Sequence, residues 1–149
     1  MSDDPQSAAA IREALARLNA AENDLARLGV EGVIRVIDEV LGPNWEGGSN
    51  GQPDHGRAEE RETERALFTA FPDYHRTLDD IVVEPPLAAI LWTTTATHRG
   101  TFFGIPPTGR SLRSSGMSLF EFEAGRARRS WVYFDTAGFI QQLTGPLAS

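Results

Sequence analysis

The chain has 149 residues and a formal net charge of −7, set by 14 basic and 21 acidic side chains. It contains no cysteine and no lysine, which excludes disulfides, thiolate metal sites, Schiff-base catalysis and lysine-dependent phosphate loops. The acidic balance argues against nucleic acid as a partner, because phosphate contacts need a basic surface. The histidines, His55, His75 and His98, lack the spacing of a metal site, so we expect no metal and no cofactor.

The N-terminal residues 1–6 are acidic and polar, and we expect them to form a disordered leader ahead of a single domain at 7–149. They lack the apolar core of a secretory signal. Nowhere does the chain reach the run of about 20 apolar residues that crosses a bilayer. These features predict a cytoplasmic protein without a membrane partner.

The first half of the chain is predicted to form three helices. Ser7 is a good cap for the first, which ends near residues 19–23, and the second stops at Gly42-Pro43. Residues 42–56 hold five Gly and two Pro and are interpreted as a flexible loop. Arg57–Phe71 is the third helix, and its mixed charges before Leu67 predict a solvent-exposed face.

After Pro72 the hydrophobic period changes from 3.6 to 2, which predicts strands and then a short closing helix at 136–143. The predicted strands are 74–83, 88–102, 111–123 and 126–134. The short Ala124-Gly125 junction predicts a hairpin that makes the last two strands antiparallel neighbours. Helices followed by strands indicate an α+β domain with the helices on one face of the sheet.

The second half also carries a specific set of motifs. They are Phe71-Pro72-Asp73, Trp92-Thr93-x-Thr95-x-Thr97-His98-x-Gly100, Phe103-Gly104-Ile105-Pro106-Pro107-Thr108-Gly109-Arg110, and Trp131-x-x-x-Asp135 followed by Gln141-Gln142-Leu143. In this order they resemble the SnoaL-like polyketide cyclase family, also called ester cyclases, of the nuclear-transport-factor-two-like fold. The resemblance covers residues 68 to 145.

The resemblance implies a cone-shaped α+β fold, in which a curved antiparallel or mixed sheet wraps three N-terminal helices and encloses an apolar pocket. It also implies a homodimer formed through the sheet, with a small apolar, polyketide-like molecule as the ligand. Cyclases of this family use an aspartate on the last strand as general acid/base, and that position is Val132 here. Valine cannot transfer a proton, so the resemblance does not supply a catalytic group.

Three side chains remain as candidates for that role. His98 shares a strand face with Trp92 and Thr94. A histidine there can be a general base, a hydrogen-bond donor to a substrate carbonyl, or simply a histidine that bridges strands. Glu46, beside Trp45, can enter the pocket or stay in water. Asp135 starts on the opposite face from Val132 and precedes a helix, so capping is favoured over catalysis.

The predicted pocket wall comprises Trp45, His75, Trp92, Thr94, Ser118, Val132 and Phe134. Together these features predict a cofactor-independent enzyme of secondary metabolism that cyclises or isomerises a polyketide-like substrate by acid/base catalysis. Two alternatives stay open. One is a pocket protein that binds its ligand without reaction, and the other is an epoxide-hydrolase or hydroxylase variant of the same fold.

Overall fold

A computed structural model describes residues 4–146 of the chain. Its elements are α1 (Ala8–Glu22), α2 (Leu25–Val40), β1 (Leu41–Ser49), β2 (His55–Gly56), α3 (Arg57–Ala70), β3 (His75–Glu84), β4 (Leu87–Thr97), β5 (Ser111–Glu123), β6 (Arg126–Phe134) and α4 (Thr136–Thr144). The predicted α+β class is confirmed.

The helices bury one apolar stripe each against the sheet. On α1, Ile11, Leu15 and Leu18 are buried at helical spacing, and Ser7 caps the helix by accepting a hydrogen bond from the Ala10 amide, as predicted. On α2, Val33 and Ile37 face the same core. The main core therefore lies between α1–α3 and one face of the sheet.

The six strands form one mixed sheet in the order β2-β1-β6-β5-β4-β3, and the sheet does not close into a barrel. β3 to β6 are antiparallel neighbours, while β1 pairs with β6 in parallel. The predicted hairpin is present, with Ala124 and Gly125 both at positive φ between β5 and β6. This arrangement carries β1 back beside β6 and puts Trp45 into the core.

The loop interpretation of residues 42–56 is wrong, because most of the segment is strand. β1 pairs with β6 at Leu41 and, after an irregularity, over Glu46–Ser49, and β2 adds a short antiparallel edge. The glycines that suggested a loop include Gly47, where a β-carbon would collide with the Trp45 indole. Glycine occurs at this position because the Trp45 indole packs closely against the strand, and not because the segment is a flexible loop.

The second long strand ends earlier than predicted, at Thr97 rather than 102. The amides of Arg99 and Gly100 both donate to the carbonyl of Ala70, which turns the chain away from the sheet. A β-carbon at Gly100 would lie 3.0 Å from Cα of Ala70, so the close crossing needs glycine.

Part of the predicted leader, residues 1–3, lies outside the described residues, as do residues 147–149. Gln6 is hydrogen-bonded at the β5–β6 turn. Its side-chain amide donates to the carbonyl of Phe122 at 2.9 Å, and its oxygen accepts from the Gly125 amide at 2.7 Å.

Candidate functional site

A cavity of about 450 Å³ lies between the helices and the inner face of the sheet. Its wall is mainly apolar and rich in aromatic rings, including Phe68, Phe71, Phe102, Phe134 and Phe139. Phe71, Phe102 and Phe139 pack edge to face at 5.2–6.0 Å between ring centroids. A cavity of this size and lining suits a small apolar ligand.

Most of the pocket residues expected from the sequence lie on this wall. They are Trp45, Trp92, Thr94, Ser118, Val132 and Phe134. His75 does not, because on β3 it alternates with Tyr74 and Arg76, which face the cavity, and its own side chain is exposed.

His98 is fully buried, as strand alternation predicted, yet it is not on the cavity wall. Its ring packs on Phe71 at 5.5 Å, and its Nδ1 accepts a hydrogen bond from the Thr108 amide at 3.2 Å. The His98 amide donates to the carbonyl of Arg110 at 2.9 Å. Through its contacts with Thr108 and Arg110, His98 stabilises the loop between β4 and β5.

The two candidate carboxylates from the sequence also lie off the wall. Glu46 is exposed on β1, since alternation with the buried Trp45 turns it outward. Asp135 is exposed and caps α4, accepting a hydrogen bond from the Gly138 amide at 2.9 Å. The expectation that Asp135 is a helix cap is confirmed.

The structure instead brings Glu64 of α3 to the cavity wall. Its side chain is only 9% exposed and receives two hydrogen bonds from Arg57, at 2.8 and 3.2 Å. Arg57 also donates to Asp38 of α2 at 2.6 Å, and its guanidinium lies 5.9 Å from the centre of the Trp45 ring. The interpretation of the charged part of this helix as a solvent-exposed face is therefore wrong for Arg57 and Glu64.

Burial raises the pKa of Glu64 to about 7, because the apolar surroundings disfavour the carboxylate. Hydrogen bonding and charge attraction from Arg57 oppose this shift only in part, and the negative charges of Glu60 and Glu22 add to it. For Asp38 the balance differs. Burial acts to raise its pKa, but hydrogen bonds from Arg57 and Arg61 outweigh that effect and lower the pKa.

A second polar group on the wall joins α1 to β3. Glu22 and Arg76 form an ion pair with side chains only 12% and 10% exposed, beside Tyr74. Burial raises the pKa of Glu22 despite the Arg76 charge, and burial also raises the pKa of the Tyr74 hydroxyl. The cavity thus carries two groups of buried charged side chains, the Glu22–Arg76 pair and Glu64, within a mainly apolar lining.

The position of Glu64 could have been read from the sequence. Arg57, Glu64, Phe68 and Phe71 recur at spacings of seven, four and three, which places them on one helix face. The two aromatic residues mark that face as the buried one. A charged pair on an apolar stripe is a stronger signal of a site than the charge density of the segment.

Over residues 4–146, no group of three His, Asp or Glu side chains is placed to hold a metal ion. In the same range, no helix is long and apolar enough to cross a membrane.

Solved structures with this fold include TsrD from Streptomyces laurentii, at 27% identity and a TM-score of 0.78, covering 94% of this chain and 98% of that one. AclR from Streptomyces galilaeus matches at 23% identity and a TM-score of 0.80, covering 96% and 86%. A SnoaL-like polyketide cyclase from Agrobacterium tumefaciens matches at 23% and 0.67, covering 93% and 98%. No curated protein matches significantly in sequence.

The family model for SnoaL-like polyketide cyclase matches residues 30–143, which span the cavity wall from α2 to α4. The chain belongs to the SnoaL-like polyketide cyclase family.

Proposed function

We propose that this protein is a cofactor-independent cyclase or isomerase of secondary metabolism, acting on a small, apolar, polyketide-like substrate with Glu64 as its general base. The observation that carries the proposal is the buried Glu64 carboxyl on the wall of an apolar cavity, with its pKa raised to about 7. A base with a pKa near the working pH combines a useful carboxylate fraction with good proton affinity. His98, Glu46 and Asp135 do not reach this wall, and Glu64 is the wall carboxyl whose pKa is raised to about 7, so the proposal assigns the base to Glu64.

The reaction needs only proton transfers. The Glu64 carboxylate removes a proton from a carbon next to a carbonyl, and the enolate carbon attacks a second carbonyl of the same substrate. The resulting alkoxide then takes the proton back from Glu64, so that one carbon–carbon bond forms and no atom is lost. For an isomerisation, the proton returns to a different carbon.

Proton abstraction can be measured without knowing the natural substrate. In D₂O, the wild-type protein should accelerate exchange of the α-protons of 1-tetralone, followed by proton NMR. The exchange rate should rise with pH and level off above about 7, because the carboxylate form of Glu64 is the active one. Glu64→Gln keeps the shape and the contact with Arg57, and should reduce the exchange about 100-fold.

Glu62→Gln is the matched control, since Glu62 lies on the same helix with a side chain that is 73% exposed. It should leave the exchange unchanged. Quenching of tryptophan fluorescence reports entry of the ketone, because Trp45, Trp92 and Trp131 lie on the wall. Binding with exchange at the buffer rate would overturn the proposed catalysis and leave a protein that only holds its ligand.

A homodimer through the outer face of the sheet is part of the proposal. Leu91, Met117 and Tyr133 are cross-strand neighbours on β4, β5 and β6, and their side chains are 40–50% exposed. An exposed apolar row of this kind supports a protein interface.

Met117→Glu should convert the dimer to a monomer, because it puts a charge at the centre of the apolar row. Light scattering after size exclusion measures the mass. Ile140→Glu on α4 is the control, since it changes an exposed apolar side chain away from the sheet and should leave the dimer intact. A monomeric wild-type protein would contradict the assignment.

A further inference from the structure

We infer that the hydroxyls of Ser118 and Ser130 form a carbonyl-binding site, which donates two hydrogen bonds to one substrate oxygen and stabilises the negative charge that develops there. The inference deepens the proposed function, because an enolate formed by Glu64 needs donors at its oxygen. Both serines lie on the cavity wall, on β5 and β6. They are diagonal neighbours, since Ser118 pairs with Val132 and Ser130 with Phe120.

Each serine is oriented by a tryptophan. The indole Nε1 of Trp92 donates to Ser118 Oγ at 3.1 Å, and that of Trp45 donates to Ser130 Oγ at 3.0 Å. An indole N–H is only a donor, so each serine oxygen must accept in this contact. The hydroxyl hydrogens of Ser118 and Ser130 therefore remain to be donated, and they have no acceptor among residues 4–146.

The Ser118 hydroxyl is buried, so bulk water does not compete for its hydrogen. Ser118 is 5% exposed, so its free hydrogen faces the cavity rather than bulk water. A buried donor without an acceptor costs free energy that an incoming carbonyl can recover. Accepting a hydrogen bond from an indole also polarises the hydroxyl and strengthens it as a donor.

The same local construction occurs twice. Trp92 lies across Gly116, its cross-strand partner, where a β-carbon would collide with the indole. Trp45 lies over Gly47, two residues further along its own strand, where a β-carbon would also collide with the indole. In both cases a glycine lets the indole lie flat on the sheet and reach a serine on a neighbouring strand. Because a tryptophan, a glycine and a serine are combined twice, we infer that the two glycines serve to orient the serine hydroxyls as well as to pack the tryptophans.

The site also lies opposite the base. Ser118 and Ser130 belong to the sheet, whereas Glu64 comes from α3, and all three line one cavity. A ketone with its oxygen on the serines can therefore turn its α-carbon toward the helix wall. The ligand class that fits is a neutral ketone or ester, because the hydrogen-bond partners that the structure gives the two hydroxyls are uncharged indole N–H groups, and the chain has no lysine.

Infrared spectroscopy of bound 1-tetralone, labelled with carbon-13 at the carbonyl, tests the site directly. In the wild-type protein the carbonyl stretch should lie below its value in an aprotic solvent. Ser118→Ala and Ser130→Ala should each move it part of the way back, and the double variant should remove the shift. Affinity for 1-tetralone relative to tetralin, which has no carbonyl, should fall about fivefold per serine.

Ser115→Ala is the control, because Ser115 is exposed on the other face of β5. Trp92→Phe keeps the Ser118 hydroxyl and should weaken the infrared shift, yet it should have no effect in the Ser118→Ala background. An unchanged carbonyl frequency in the Ser118→Ala/Ser130→Ala protein would overturn the inference. A serine-dependent frequency without α-proton exchange would overturn only the role of Glu64.

Discussion

Arg57→Met should destabilise the protein by about 3–5 kcal/mol at pH 8, and by about 1 kcal/mol less at pH 5. Arg57 is the cation between Glu64 and Asp38, and its side chain is only 4% exposed. Its removal leaves a buried Glu64 carboxylate without its partner and raises the pKa of Glu64 above about 7. At pH 5 Glu64 is protonated in both proteins, so the missing cation costs less there.

Urea unfolding at the two pH values measures this difference. Arg61→Met is the matched control, since Arg61 contacts the same Asp38 but is 36% exposed, and it should cost less than about 1 kcal/mol. An equal loss at pH 5 and pH 8 for Arg57→Met would contradict the electrostatic account. It would show that the arginine acts through packing of its stem and its contact with Trp45.

The strands of the second half could be predicted because their pattern is local. The hairpin at Ala124-Gly125, the inward face of β4 and the cap at Asp135 all follow from alternation and turn chemistry. β1 could not be read in this way. β1 pairs in parallel with β6, for example Glu46 with Arg129, which is far away in the sequence. The local pattern of a Gly- and Pro-rich segment gives no indication of such a distant partner.

The candidate site shows a second limit. Strand alternation placed His98 on the same face as Trp92 and Thr94, and the side chain is indeed buried. Alternation does not distinguish a residue that lines the cavity from one that packs behind Phe71, as His98 does. For Glu64 the helical spacing was present, yet the density of surrounding charges favoured a solvent-exposed reading. For His98 the missing information is tertiary, because a cavity is defined by elements that are distant in sequence.

Val132 of β6 bears on where the carboxyl groups of the cavity are found. Val132 lies on the cavity wall, and the only contribution it can make there is apolar surface. The carboxyl groups of this cavity come from the helices, through Glu22 on α1 and through Glu60 and Glu64 on α3. Under the proposed function, the base comes from the helix wall opposite the sheet, and the sheet carries the hydroxyls of Ser118 and Ser130.

Glu64→Gln should stabilise the protein by about 3 kcal/mol at pH 8 and leave its stability nearly unchanged at pH 4. The pKa of Glu64 is about 7 in the folded state against 4.5 for an unperturbed glutamate, so the folded state binds this proton more tightly. The wild-type protein therefore loses stability as the pH rises from about 4.5 to about 7, and the variant does not. Urea unfolding of both proteins across this range measures the difference.

Glu62→Gln should show no such pH-dependent gain, because its side chain is largely in water. Parallel stability curves for the wild-type and Glu64→Gln proteins would mean that Glu64 ionises normally, and the argument for a general base near neutral pH would fail with it. A gain in stability together with a loss of α-proton exchange would instead show that one buried carboxyl both weakens the fold and provides the chemistry. A loss of stability in return for activity is expected where a catalytic group is held in an apolar cavity.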